Sequence, residues 1–267
     1  MKFTDQTLLG RFDGLSTRPT RVRALDARAK VIVILAFVVT VASFGPHDLS
    51  RPLPLLLFLT VMFSLGEVRF RPVAMRVLLA SPFAIMIGLA NPFLDQTPLL
   101  ALGPIALTGG WVSFISIVLR FALSLTAVLL LVATTGFDEV CLALGRLGVP
   151  RVFVTQLLLL HRYGFVLGEE ASRMIRAHAL RSPDRERPTL TTASRLLGQL
   201  LLRALDRAER IHAAMICRGF TGMLPVRHRS NLGWGDFAFA LSSFAFFTLV
   251  RAVDLTALAG ALLIRVF

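Results

Sequence analysis

The residues able to do chemistry in this 267-residue chain are few and scattered. Its five histidines, His47, His161, His178, His212 and His228, are nowhere three to five residues apart, so no local metal clamp forms. Cys141 and Cys217 are too few for a disulfide framework and lack metal-site spacing. Neither Gly109-Gly110 nor Gly233-Trp234-Gly235 is followed by the Lys-Ser/Thr of a phosphate-binding loop. No serine sits in a Gly-x-Ser-x-Gly turn, and no paired carboxylates suit Mg²⁺-diphosphate chemistry. The chain therefore reads as non-enzymatic, with no cofactor and no metal site of its own.

What remains is arginine. Arg181 closes the run Arg173-Met-Ile-Arg-Ala-His-Ala-Leu-Arg181 and is followed by Ser182-Pro183-Asp184. Arg218 closes Ala213-Ala-Met-Ile-Cys-Arg218 and is followed by Gly219. Both ends show small or compact residues, one Arg, then a helix terminator. An Arg at a helix C-terminus complements the dipole, which explains one such residue. Two matching ends point to two equivalent docking sites on a partner, where a guanidinium fork meets carboxylates or backbone carbonyls.

The elements that must position these arginines follow from composition. The chain is 55% hydrophobic and 17% charged, with a mean hydropathy of +0.71. Soluble domains are about 45–50% apolar and about 25% charged, so this is a membrane protein. A bilayer core about 30 Å thick needs roughly 20 helical residues. Apolar segments run from Ala29 to Phe44, from Pro52 to Leu65, from about Val73 to Leu94 and from Trp111 to Ala133. Pro82 and Pro92 should kink or end the third. Apolar character returns only from Trp234 to the C-terminus. The fold class is thus all-α: a polytopic helical membrane protein with about five transmembrane helices and a cytoplasmic domain of amphipathic helices. Residues 1–136 hold the N-terminal segment and four crossings, 137–233 the cytoplasmic helices, and 234–267 the last crossing.

Charge sets the orientation. The first 28 residues carry no apolar core or cleavage site of a signal peptide. Residues 1–30 hold 7 Lys+Arg, 45–51 hold 1, 66–76 hold 3 and 95–110 hold none. Positive charge stays inside, so the N-terminus is cytoplasmic. The stretch 137–230, with 15 Arg against 8 acidic residues, is then cytoplasmic too. The net +13 lies in blocks between apolar runs, which points to a membrane and not to nucleic acid.

The cytoplasmic stretch keeps helical periodicity. One helix runs roughly from Val152 to Ala179. A second, from Thr192 to Met215, places Leu197, Leu200, Leu201, Ala204, Ala208, Ile211 and Met215 on one face and five polar residues, Arg195 to Arg210, on the other. Two such helices either lie on anionic headgroups or serve a partner.

These features resemble the transmembrane T component of energy-coupling factor (ECF) transporters, most closely the cobalt-type CbiQ family. The likeness rests on Ala179-Leu180-Arg181 with Ser182, and on Cys217-Arg218-Gly219 with Phe220, as the paired Ala-Arg-Gly-like motifs of that family's coupling helices. Leu25-Asp26-Ala-Arg-Ala-Lys30, Leu144-Gly-Arg-Leu-Gly-Val-Pro150 and Arg207-Ala-Glu-Arg-Ile-His-Ala-Ala-Met215 extend it. The first motif has Ser182 where Gly is usual, and Arg176 is its alternative bearer. The resemblance implies a subunit that neither binds substrate nor hydrolyses ATP. Arg181 and Arg218 would anchor it to an ABC ATPase dimer, and a separate small membrane protein would capture cobalt; nickel or biotin importers use the same design. The implied location is a bacterial cytoplasmic (inner) membrane.

Two intramembrane charges lie outside these motifs. Arg120 either lines a transport path, pairs with a carboxylate of a neighbouring segment or subunit, or extends toward water or headgroups. Arg251 and Asp254, three apart, neutralise each other near the outer surface. A self-contained secondary transporter, with Arg120 as its functional charge, is the competing class; it would be expected to show paired broken segments, which this sequence does not.

Overall fold

The computed structural model describes residues 25–45, 48–94, 98–102, 105–182, 189–222 and 233–252. The chain divides into two compact units, one from Phe137 to Arg229 and one formed by the helices that precede and follow it. His47, His228 and Asp254 lie outside the described residues.

In the flanking unit the elements are α1 (Ala27–Ala42), α2 (Leu55–Gly66), α3 (Phe70–Gly88), a one-turn α4 (Asn91–Leu94), a hairpin of β1 (Pro98–Leu102) and β2 (Ile105–Thr108), α5 (Gly109–Thr135) and α9 (Trp234–Ala252). α3, α5 and α9 are long and apolar enough to cross a membrane, and α2 is a shorter apolar helix. At about 1.5 Å per residue, α1 and α2 reach only roughly 24 and 18 Å. The helical expectation holds, with one addition: the stretch 95–110, which holds no Lys or Arg, contains the antiparallel β1–β2 pair.

Each boundary has a local cause. Asp26 caps α1 by accepting the Arg28 N–H at 2.9 Å. Pro92 separates α4 from α3, whereas Pro82 does not end α3. Proline withholds the N–H that Leu78 C=O would have received, and the Ser81 hydroxyl donates to that carbonyl at 2.8 Å instead. The helix therefore continues through the proline.

Packing is organised by α5, which touches α1, α2, α3 and α4. In a bilayer such contacts depend on close backbone approach, since lipid tails are as apolar as leucine. Gly88 of α3 lies against Phe114, where an added Cβ would come within 2.9 Å of the ring, and Gly66 of α2 lies 2.8 Å by the same measure from the Thr134 methyl. α1 and α9 run parallel: Asp26 meets Asp236 at one end, Phe37 meets Phe247 midway, and Arg251 stacks over Phe44 at 5.5 Å at the other. Phe37, Phe58 and Phe247 form the aromatic centre of this unit, with centroids 5.1–5.7 Å apart. The Asp236 carboxylate, buried, accepts the Asp26 N–H at 2.7 Å and the Gly233 N–H at 2.8 Å, so it caps α9 and ties it to α1.

Arg120 is explained by this packing. Its guanidinium donates to the Gly45 carbonyl just beyond α1. The same carbonyl accepts the Asp48 N–H at 3.2 Å, and Asp48 pairs with Arg51 at 3.4 Å. Arg120 thus closes the C-terminal end of α1, where unpaired carbonyls favour a cation.

Candidate functional site

The 137–229 unit is built from α6 (Phe137–Arg146), α7 (Arg151–Arg181) and α8 (Leu190–Cys217). α6 ends where Gly148 takes φ +108° and the Val149 N–H returns to Leu144 C=O at 3.1 Å. Pro150 then starts α7. α6 is fixed on α7 by Asp138, 3.0 Å from His161 Nδ1, and by the His161 ring stacked on Phe137 at 4.5 Å. Gly145 admits Val154, whose methyl would stand 3.0 Å from a Cβ. Cys141 is buried at this contact, and burial, with the nearby Asp138 charge, pushes its thiol up to about 11.

α7 and α8 form an antiparallel pair. Glu170 of α7 receives Arg203 of α8 at 2.6 Å and Arg173 at 2.7 Å. Those guanidinium hydrogen bonds hold the Glu170 carboxyl below the usual carboxylate range. At the far end the Thr155 hydroxyl donates to Gly222 C=O at 3.2 Å. Between these ties lies an open apolar groove of about 430 Å³, walled by Leu159, Leu160 and Leu167 on one side and Leu205, Ala208 and Ile211 on the other. α8 has no fully buried residue, and Leu197, Leu201 and Leu205 are all more than half exposed.

The antiparallel arrangement places the two arginine ends far apart. Thr155, near the α8 end, and Arg181 are separated by 26 residues of one helix, roughly 40 Å. Arg181 is exposed at the last residue of α7, beside Leu180 (85% exposed) and the half-buried Ala179 and Ser182. Arg176, one turn back, is exposed as well. Cys217, Arg218 and Gly219 are exposed at the end of α8. Among the described residues neither Arg181 nor Arg218 has an ion-pair partner within the chain.

The two ends are terminated differently. After α8, Gly219 adopts φ +78°, its N–H returns to Ile216 C=O at 2.9 Å, and the Phe220 N–H returns to Met215 C=O at 3.0 Å. This is a Schellman closure, which the Arg-Gly order announces in sequence. α7 instead ends at Ser182 with φ −133° and a single N–H returned to His178 C=O. Sequence reasoning missed the Glu170–Arg203 tie, although Glu169-Glu170 was a visible signal on an otherwise basic helix. It also missed Asp236, whose position three residues after Gly233 marks a helix cap.

Among the described residues no group of three or more His, Cys, Asp or Glu is placed to hold a metal ion. Three helices long and apolar enough to span a bilayer, in an otherwise mainly helical chain, define a polytopic helical membrane protein. The chain belongs to the CbiQ family, described as a cobalt transport protein, which it matches over residues 20–230. It is 26% identical to an uncharacterized protein of Methanocaldococcus jannaschii over 243 residues, covering 86% of this chain and 82% of that one. It is 33% identical to the cobalt transport protein CbiQ of Rhodobacter capsulatus over 97 residues, covering 36% of this chain and 40% of that protein. It is therefore a membrane component of a cobalt-transport-related system.

Proposed function

We propose that this chain is the transmembrane coupling (T) component of an ECF-type importer, with cobalt as the cargo of the system. One observation carries the reading: α7 and α8 are antiparallel, so their C-terminal arginines face opposite ends of the pair. Two antiparallel helices have an approximate two-fold axis between them, and it relates the end bearing Arg181 to the end bearing Arg218. A two-fold ABC ATPase dimer offers two equivalent grooves, which matches two such tips roughly 40 Å apart. An Arg held at a helix tip beside small or exposed side chains can enter a groove and donate in a fork.

In this reading the residues Ala179, Leu180, Arg181 and Ser182, and Cys217, Arg218 and Gly219, are the ATPase contacts. ATP hydrolysis belongs to the ATPase subunits and cobalt capture to a small membrane subunit. Closure of the ATPase dimer biases a two-state arrangement, and the long helices carry that bias to the capture subunit. The 137–233 segment is cytoplasmic, as is the N-terminus, in the inner membrane of a bacterium. The Lys+Arg counts support that orientation. So does the Asp26–Asp236 hydrogen bond, which starts α1 and α9 from one face.

Nickel or biotin in place of cobalt would leave every one of these features unchanged. A carrier relying on Arg120 has less support, because that guanidinium is engaged by the Gly45 carbonyl. Detergent extraction of the tagged chain from its native membrane, with identification of the co-purifying proteins, tests the proposal. The expected result is an ABC ATPase at about two copies per chain together with a small membrane protein. A chain that purifies alone and moves solute in liposomes overturns it.

A further inference from the structure

We propose that α2, the α2–α3 turn and α5 form a binding site for an anionic phospholipid, with one acyl chain in an apolar groove and the phosphate on Arg69 and Arg71. The groove has a volume of about 520 Å³. Its floor is Leu59 and Leu123, 4% and 2% exposed, and its walls include Leu56, Phe63, Leu119 and Ala122. It runs parallel to α2 from Leu56 to Ser64, roughly 12 Å, and continues to Val68 and Phe70 at the turn. That length approaches one leaflet of a hydrocarbon core about 30 Å thick. A groove of that length, ending at the charged α2–α3 turn, has room for about the part of an acyl chain that lies in one leaflet.

The turn at one end of the groove carries charge. Arg69 lies between two lining residues, Val68 and Phe70, and Arg71 follows. Both are exposed, and neither has an ion-pair partner among the described residues. Glu67 is the acid at this turn, held at φ +47°, so the turn keeps net positive charge. An apolar channel about one leaflet long, ending at a turn that carries two exposed arginines, is complementary to an acyl chain with a phosphodiester at its head. A transmembrane helix of a partner would fill the same groove without using the arginines. The inference needs only that α2, α3 and α5 lie in a bilayer and does not rest on the ATPase reading.

The test uses the full chain reconstituted in nanodiscs of equimolar phosphatidylcholine and phosphatidylglycerol, then stripped of annular lipid and analysed by native mass spectrometry. Wild type is expected to retain phosphatidylglycerol in preference to phosphatidylcholine. Arg69→Gln with Arg71→Gln should lower retained phosphatidylglycerol on the order of tenfold, while Arg69→Lys with Arg71→Lys keeps most of it. Ala122→Phe, which fills the groove, should lose the lipid with the arginines intact; Thr126→Leu does the same with a smaller side chain if that variant folds poorly. Equal retention of the two lipids by wild type overturns the proposal. So does a preference that survives the Gln pair, or one that survives groove filling. Groove filling that sheds a co-purifying membrane protein while lipid stays would make this a helix-docking face and overturn it as well.

Discussion

At the residue scale the account turns on how two helix ends present an arginine. Gly219 sits at φ +78°, a conformation that costs an L-residue about 1–2 kcal/mol. Gly219→Ala should therefore destabilise the end of α8 by about that much, seen as faster hydrogen exchange from Met215 to Phe220, with the remainder of α8 unchanged. The two cysteines give a chemical test of the same surface. Cys217 is exposed beside Arg218, whereas Cys141 is buried with its thiol pushed up to about 11. A membrane-impermeant maleimide at pH 7.4 should label Cys217 and leave Cys141 unmodified until denaturant is added. In sealed vesicles, labelling should appear only when the cytoplasmic face is outward; labelling from the other face reverses the topology. These local features were the most legible in sequence, because Arg-Gly after an apolar-periodic run encodes its own termination. The α7 end was less legible: Ser182 names no closure, and the structure supplies none of the left-handed kind.

At the element scale, apolar length located the helices of the flanking unit, of which α3, α5 and α9 are long enough to span, since a spanning helix must keep its backbone satisfied over the whole hydrocarbon depth. It says less about proline: Pro82, expected to kink or end its segment, does not end α3, where the Ser81 hydroxyl bonds to Leu78 C=O. The role of Arg120 was equally out of reach, because its partner carbonyl is 75 residues away. Asp236 is the element-scale feature most open to test. Asp236→Ala strips two backbone N–H groups, those of Asp26 and Gly233, of a charged acceptor. The expected loss is about 2–3 kcal/mol, read as a lowered thermal midpoint of the detergent-solubilised chain. An unchanged midpoint would show that the α1–α9 pairing rests on side-chain packing, Phe37 on Phe247 and Arg251 over Phe44, and not on this carboxylate. The Glu170–Arg203 tie predicts a pH effect. The folded-state pKa of Glu170 is depressed, so its contribution is present at neutral pH. It fades as pH falls below the ordinary glutamate value of about 4.3 and through the folded one. Glu170→Gln should speed hydrogen exchange in α8 modestly at pH 7 and make no difference once the carboxylate is protonated.

At the scale of the whole molecule, the chain has one unit rich in lipid-length helices and another whose long helices leave apolar stripes and arginine tips exposed. The second unit is incompletely buried by itself: Leu180, Leu197, Leu201 and Ile216 all face outward. Exposed apolar surface beside exposed arginines is what the proposed docking to an ATPase requires. The sequence carried this much through periodicity and charge blocks; the antiparallel placement of the two tips required tertiary contacts such as Glu170–Arg203 and Thr155–Gly222. The most direct measurement compares wild type with Arg218→Ala, in cells expressing the full transport system, for ATPase retention on the purified chain and for cobalt uptake per inserted chain. Losing a buried charged partner at an interface costs about 2–5 kcal/mol, so retention should fall at least tenfold and uptake with it while the chain remains in the membrane. Full ATPase retention and normal uptake by a well-inserted Arg218→Ala chain would contradict the coupling role.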